Sequence, residues 1–95
     1  MPDRKNHLNK LKAQLESWMV KVDELQGRAG GADLEKRIEC NREIAGMYGK
    51  IKFIELTMKE LEAKDPEPND NRVQQIRGRM DELDRDFSKT AARLE

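Results

Sequence analysis

The stretch "IAGMYGKIKFIEL", residues 44–56, carries apolar side chains on two opposite sides of the helix that it predicts. At about 100° per residue, one stripe consists of large residues: Ile44, Met47, Ile51 and Ile54. The opposite stripe mixes small and large residues: Ala45, Gly49, Phe53 and Leu56. Because a helix in a small bundle usually needs one apolar face, the second stripe requires its own explanation.

The first stripe continues in both directions at spacings of three and four residues. Its members are Cys40, Ile44, Met47, Ile51, Ile54, Met58 and Leu61. This seven-residue repeat predicts a helix over about residues 33–64 whose seam faces other helices. Pro66 and Pro68 disfavour helical backbone and predict the end of this helix.

Both flanking segments repeat the same heptad spacing. The upstream seam predicts a helix over about residues 3–27 and consists of Leu8, Leu11, Leu15, Trp18, Val22 and Leu25. The downstream seam predicts a helix over about residues 70–95 and consists of Val73, Ile76, Met80, Leu83, Phe87, Thr90 and Leu94. The pattern is typical of helices that pack along one another.

The segment "GRAGGAD", residues 27–33, predicts a turn, because each of its three glycines would cost about 1 kcal/mol inside a helix. The fold class that follows is all-α, a single domain over residues 1–95 forming a three-helix antiparallel coiled-coil bundle. One alternative stays open. A single skipped residue can be absorbed by a long coiled coil, so residues 3–64 could form one helix. The third, shorter helix would then fold back along it, and a second chain would complete a dimeric coiled coil.

The composition predicts a thin core and a charged surface. Of 95 residues, 36% are hydrophobic and 40% are charged, while the net charge is zero. A balanced charge argues against a nucleic-acid partner, which needs a basic surface. Acidic residues precede basic ones by four positions in Glu24–Arg28, Glu55–Lys59, Glu60–Lys64 and Asp81–Arg85, and each pair would add about 0.2–0.5 kcal/mol to helix formation.

Residues with catalytic or metal-binding chemistry are few. His7 is the single histidine, and its helical neighbours cannot complete a zinc site. Glu35, Glu39 and Glu43 form a ladder that we interpret as a solvated face, since acid–base catalysis needs a cleft. We therefore predict no catalytic residue, no metal and no cofactor, and we expect the protein not to be an enzyme. Cys40 lies on the seam and predicts a buried thiol; the alternative is a redox-linked dimer.

The first residues, "MPDRKNH", lack the apolar core of a signal peptide, and no apolar run reaches membrane-spanning length. Together with a single cysteine, this predicts a cytoplasmic protein. The start of the first helix is locally basic, through Arg4, Lys5, Lys10 and Lys12. Such a cluster can touch anionic lipid, which keeps an amphipathic lipid- or membrane-surface-binding protein as the alternative function.

The second apolar stripe of the middle helix is the candidate interaction face. Its predicted members are Leu34, Ile38, Ala45, Gly46, Gly49, Phe53 and Leu56. The small residues would leave a shallow groove that another helix can approach closely. We expect self-association, most simply an antiparallel two-fold dimer, or docking of another helical protein. A rival explanation is that the side chains of Arg42, Lys50 and Lys52 drape over the stripe.

The first helix resembles the opening of a family of small bacterial coiled-coil stress-response proteins, through Gln14, Leu15, Glu16, Trp18, Val22, Asp23 and Leu25. The chain end resembles the family's closing pattern through Phe87, Lys89, Ala91 and Arg93. The resemblance covers about half of the chain and implies a helical hairpin or bundle with a stress-related role, without established catalytic residues. The chain departs from the family in its "GRAGG" segment and in lacking a tryptophan in the third helix. A weaker likeness, to a spectrin-type repeat, depends on Trp18 alone.

The function that these patterns favour is a non-enzymatic helical interaction or scaffold protein that associates through its middle helix.

Overall fold

Three α-helices make up the fold. The structure, a computed structural model, describes the backbone of residues 2–64 and 71–95 and the side chains of residues 8–63 and 71–95. Over these ranges the chain forms α1 (Pro2–Ala29), α2 (Leu34–Lys64) and α3 (Asn71–Arg93), with no strand. The all-α prediction is confirmed. The residues predicted to end the middle helix, Pro66 and Pro68, lie outside the described ranges.

The turn between α1 and α2 forms where two glycines follow each other. The amide of Gly30 still donates to the carbonyl of Gln26 at 3.1 Å, whereas that of Gly31 donates to Arg28, only three residues back, at 3.1 Å. This change tightens the last turn and ends α1. The carbonyl of Asp33 then accepts from the amide of Arg37 at 2.7 Å and starts α2. Two separate helices are therefore present, and the alternative of one helix over residues 3–64 is wrong.

The position of this turn differs slightly from the prediction. Gly27 and Arg28 were expected in the turn but belong to α1, which ends at Ala29. Ala29 is fully buried in the core, so extending the helix by two residues gains a contact. An isolated glycine costs only about 1 kcal/mol in a helix, which one buried side chain and continuing hydrogen bonds offset.

The helices run up, down and up, as predicted. Lys12 near the start of α1 pairs with Glu62 near the end of α2, so these two helices are antiparallel. Arg93 at the end of α3 pairs with Glu39 near the start of α2 at 2.9 Å, whereas Arg72 at the start of α3 lies 3.8 Å from Glu60 near the end of α2, so these helices are antiparallel too. Helices α1 and α3 consequently run parallel, and the three form a slim bundle of 51 × 18 × 18 Å.

Helices α1 and α3 contact each other over a shorter stretch than either contacts α2. Trp18 and Phe87 meet there with ring centroids 5.7 Å apart and an interplanar angle of 65°. The ammonium group of Lys21 lies 4.7 Å from the Trp18 ring centroid and covers its outer side. These aromatic residues are half-buried and pack against the core.

The predicted seams form the core. The buried hydrophobic residues are Leu8, Leu11, Leu15, Val22, Leu25, Ala29, Cys40, Ile44, Met47, Ile51, Ile54, Met58, Leu61, Val73, Ile76, Met80 and Leu83. Full burial of one large aliphatic side chain contributes about 1.5–3 kcal/mol, so this seam is the main source of stability. Thr90 occupies a seam position of α3 and is also fully buried. Its hydroxyl has no hydrogen-bond partner among the described residues.

Of the four predicted helical ion pairs, Glu55–Lys59 is present at 3.6 Å. The predictions of Glu24–Arg28 and Asp81–Arg85 are wrong, since neither pair lies within 4.0 Å among the described residues. An exposed pair gains too little to hold two long side chains in one conformation. The side chain of Lys64, in the fourth pair, lies outside the described ranges.

Candidate interaction face

The outer face of α2 lies opposite the core seam and consists of the predicted residues Leu34, Ile38, Ala45, Gly46, Gly49, Phe53 and Leu56. All seven are exposed. The four large members expose 62% (Leu34), 51% (Ile38), 38% (Phe53) and 51% (Leu56) of their surface. Scattered apolar residues are normal on a protein surface, but a contiguous apolar stripe along one helix marks a site of interaction.

The middle of the outer face is open. A Cβ atom added to Gly46 or Gly49 would meet no heavy atom within 4 Å, apart from the backbone of its own helix. Within the described ranges no other helix approaches these glycines, although each lowers helix stability by about 1 kcal/mol relative to alanine. With the neighbouring Ala45, they form a gap in the side-chain surface that only an external group can fill.

The large side chains of the outer face are spaced almost symmetrically about Ala45. Leu34 lies eleven residues before Ala45 and Leu56 lies eleven residues after it. Ile38 lies seven residues before Ala45 and Phe53 eight residues after it. A second copy laid antiparallel across Ala45 would therefore place large side chains opposite large ones and Ala45 opposite its own copy.

The rival explanation, a cover of cationic side chains from α2 itself, is wrong for Lys50. Its ammonium group pairs with Asp86 of α3 at 2.5 Å, because a carboxylate across the helix boundary attracts it more strongly than an apolar surface does. Phe53 has a cationic cover from another helix: the guanidinium carbon of Arg79 lies 5.2 Å from its ring centroid. Sequence reasoning missed this contact because it depends on the α2–α3 register.

Beside Phe53 runs an open groove between α2 and α3. It is lined by Phe53, Gln75, Gly78, Arg79, Glu82 and Arg85. The guanidinium of Arg79 donates to the carboxylate of Glu82 at 2.8 Å, and this hydrogen bond lowers the pKa of Glu82. A Cβ atom added to Gly78 would touch nothing within 4 Å, so the α3 side of the groove is also free of side-chain cover.

Exposed apolar residues also occur on α1, where sequence reasoning did not single them out. Val20 exposes 57% of its surface and Met19 exposes 41%. Met19 borders a groove between α1 and α2 together with the core residues Leu15 and Met58. The heptad seam does not assign either residue a partner, and no periodic signal marks them as a face.

The other candidate residues from the sequence do not assemble into a reactive site among the described residues. Cys40 is a free thiol and is fully buried. Glu39 and Glu43, interpreted as a solvated face, both contact Arg93 of α3, at 2.9 Å and 2.8 Å respectively. The side chain of His7 lies outside the described ranges, as do those of Arg4 and Lys5.

Tyr48 makes a polar contact between helices that sequence reasoning missed. Its hydroxyl donates a hydrogen bond to the carboxylate of Asp23 on α1. This hydrogen bond, with burial and the negative charge of Asp23, raises the pKa of Tyr48 to about 12. Gln26 also lies near the Tyr48 hydroxyl, with its side-chain oxygen 3.1 Å away. The contact fixes the α1–α2 register and leaves the outer face of α2 uncovered.

Two negative findings hold for the described part of the chain. No group of three or more histidine, cysteine, aspartate or glutamate residues there is placed to hold a metal ion. None of the helices in that part has a stretch apolar enough to cross a bilayer.

Comparison with known proteins gave no match, whether to a family model, to a curated protein or to a solved structure.

Proposed function

We propose that this protein is a non-enzymatic helical interaction module that self-associates through the outer face of α2. The simplest assembly is an antiparallel two-fold dimer, in which each copy contributes the same face. The observation that carries the proposal is the exposed stripe of Leu34, Ile38, Phe53 and Leu56, interrupted by an open gap at two glycines.

The energetics favour an association of moderate strength. Full burial of one large aliphatic or aromatic side chain contributes about 1.5–3 kcal/mol, and these four begin about half exposed. In a dimer both copies bury these side chains, which doubles the free energy gained by burial. Association costs at least about 4 kcal/mol in translational and rotational entropy. The upper part of this balance, about 5.5–8 kcal/mol, corresponds to a dissociation constant of about 1–100 μM.

The glycine gap supports a helix as the docked group. Small residues at an interface allow two helix backbones to approach closely, and dispersion contacts then extend over both backbones. A flat apolar patch without the gap would accept many shapes. Ala45, Gly46 and Gly49 instead provide a depression narrow enough to select another helix.

The role in the cell is also part of the proposal. A scaffold role in a reducing compartment such as the cytoplasm agrees with the free thiol of Cys40, which is buried in the core. A link to stress responses is supported only by the resemblance of the α1 sequence and the chain end to the bacterial coiled-coil family.

Sedimentation equilibrium under reducing conditions tests the proposal. We expect the wild type to dimerise at high micromolar concentration and Phe53→Glu/Leu56→Glu to remain monomeric, because two charges cannot be buried in an apolar seam. Val20→Glu is the matched control, since Val20 is 57% exposed but lies on α1. A wild type that stays monomeric at several hundred micromolar, or a double variant that dimerises as well as the wild type, contradicts the proposal.

The second candidate is an amphipathic protein that binds a lipid surface. Arg42, Lys52 and Lys59 are exposed beside the apolar residues of the outer face, as in helices that lie on anionic membranes. Anionic vesicles distinguish the two functions. A lipid binder gains helix signal and shows blue-shifted Trp18 fluorescence with vesicles, whereas an interaction module shows neither and keeps its concentration-dependent mass.

A further inference from the structure

The outer face of α2 is small for a stable interface on its own. From Leu34 to Leu56 it extends about 33 Å, and one helix is about 10 Å wide. Each partner in a typical stable interface buries about 800 Å². A second copy docked on α2 must therefore bury further surface beside that face. The open groove between α2 and α3 adjoins the outer face at Phe53, which belongs to both.

The groove and the start of α2 carry opposite charges. Arg79, Glu82 and Arg85 line the groove. Arg79 pairs with Glu82 at 2.8 Å, which leaves Arg85 exposed and without an ion pair among residues 8–63 and 71–95. Glu35, in the first turn of α2, is exposed and likewise has no ion pair within those ranges. Glu35 stands one turn before Glu39, which pairs with α3. Both glutamates therefore lie on the flank of α2 that faces α3.

The contacts within one chain set the level of each residue along the bundle. Lys50 pairs with Asp86, and Arg79 lies against Phe53, so Arg79 and Arg85 flank the segment of α2 around residues 49–55. In a two-fold antiparallel pair centred on Ala45, the partner's Glu35 lies ten residues from the axis in the other direction. That position is level with Glu55, beside Arg79. A two-fold axis also keeps a residue on the same flank, so the partner's Glu35 comes to the α3 side.

We infer that a second copy of this chain docks antiparallel across Ala45 and inserts the start of its α2 beside the α2–α3 groove, where its Glu35 pairs with Arg85. The side chain of Arg85 leans toward the N-terminus of α3 and thus toward Arg79. Two such contacts form per dimer, one at each end of the glycine gap. This inference rests on the self-association proposed above and adds the orientation, the register and the recognition by α3.

Charge reversal tests the contact in a chain that dimerises. We expect Arg85→Glu and Glu35→Arg each to raise the dimer dissociation constant by about three- to tenfold, because each places like charges together. The variant that combines both substitutions restores the opposite charges and returns to within about twofold of the wild type. Lys10→Glu, on α1 and away from the groove, changes the net charge by the same two units as Arg85→Glu and serves as the control for that variant. Circular dichroism confirms the fold of each variant.

The outcomes separate this inference from the proposal beneath it. A wild type that never dimerises refutes both. A wild type that dimerises through Phe53 and Leu56, with neither single reversal weaker than Lys10→Glu or with no recovery in the combined variant, refutes the α3 contact alone.

Cross-linking tests the register independently of charge. In a Cys40→Ala background, Ala45→Cys places two thiols at the two-fold axis, and we expect a disulfide-linked dimer on oxidation. Ile38→Cys places its two thiols about 21 Å apart, which exceeds the reach of a disulfide. Efficient cross-linking through Ile38→Cys and none through Ala45→Cys overturns the antiparallel register.

Discussion

The ring of Phe87 meets the indole of Trp18 edge-on, with centroids 5.7 Å apart and planes inclined by 65°. This contact joins α1 to α3, the two helices that contact each other least in the bundle. An edge-to-face aromatic pair contributes about 0.5–1.5 kcal/mol beyond its buried area. The pair therefore holds together the side of the bundle that aliphatic packing leaves weakest.

Replacing Phe87 by alanine tests this conclusion. We expect Phe87→Ala to lower the free energy of unfolding by about 2–3 kcal/mol, somewhat less than for a fully buried phenylalanine. Because Trp18 is the single tryptophan, its emission reports on the same contact and should shift to the red. Phe53→Ala, measured below the dimerisation range, removes an exposed ring and should cost less than about 1 kcal/mol. Equal losses in the two variants would contradict the assignment.

The hydrogen bond from Tyr48 to Asp23 predicts an unusual titration. Tyr48 is the single tyrosine, so the phenolate absorbance of the folded chain reports on it alone. We expect a midpoint near 12 instead of 10.0. Since the folded state raises this pKa, the contribution to stability is fully present below pH 10.0 and is lost as the pH rises toward 12. Asp23→Asn should bring the midpoint back toward that of a free phenol; an unchanged midpoint in this variant would disprove the cause.

The glycines of the outer face predict opposite effects on folding and on association. Gly46→Ala and Gly49→Ala should each stabilise the isolated chain by up to about 1 kcal/mol, because the added methyl group meets open space. The same methyl groups fill the gap and should weaken dimerisation at least about fivefold. Gly27→Ala, in α1 with equally open space, should stabilise the fold and leave the dimer unchanged. Tighter association of the Gly46 and Gly49 variants would rule out a close helix approach.

The sequence predicted the core well because heptad spacing depends on each helix alone. The seam from Cys40 to Leu61 is buried throughout, and the same holds for the upstream aliphatic seam from Leu8 to Leu25. The half-buried exceptions, Trp18 and Phe87, meet at the boundary between α1 and α3. Heptad spacing does not predict their partial exposure, since that depends on how closely the three helices meet around one axis.

The exposure of the candidate face followed from periodicity, whereas its surroundings did not. The rival explanation gave the face a cover from Arg42, Lys50 and Lys52 of its own helix, yet Arg79 of α3 lies over Phe53. The boundary of α1 was misplaced for a similar reason: burial of Ala29 outweighs the cost of Gly27, and that burial exists only in the folded bundle. Contacts between helices depend on register, which a linear pattern does not contain.

The two opposite apolar stripes of α2 have a consequence for how the chain reaches its native state. During folding, α1 and α3 can pack against either apolar stripe of α2. Packing against the outer stripe would expose the inner stripe to solvent. The inner stripe has a large side chain at every turn from Ile44 to Leu61, whereas Ala45, Gly46 and Gly49 leave a hole in the outer one. A core built on the outer stripe would enclose that hole and lose stability in proportion to its volume. The glycines therefore favour burial of the inner stripe of α2 in the core, whatever later binds to the outer stripe.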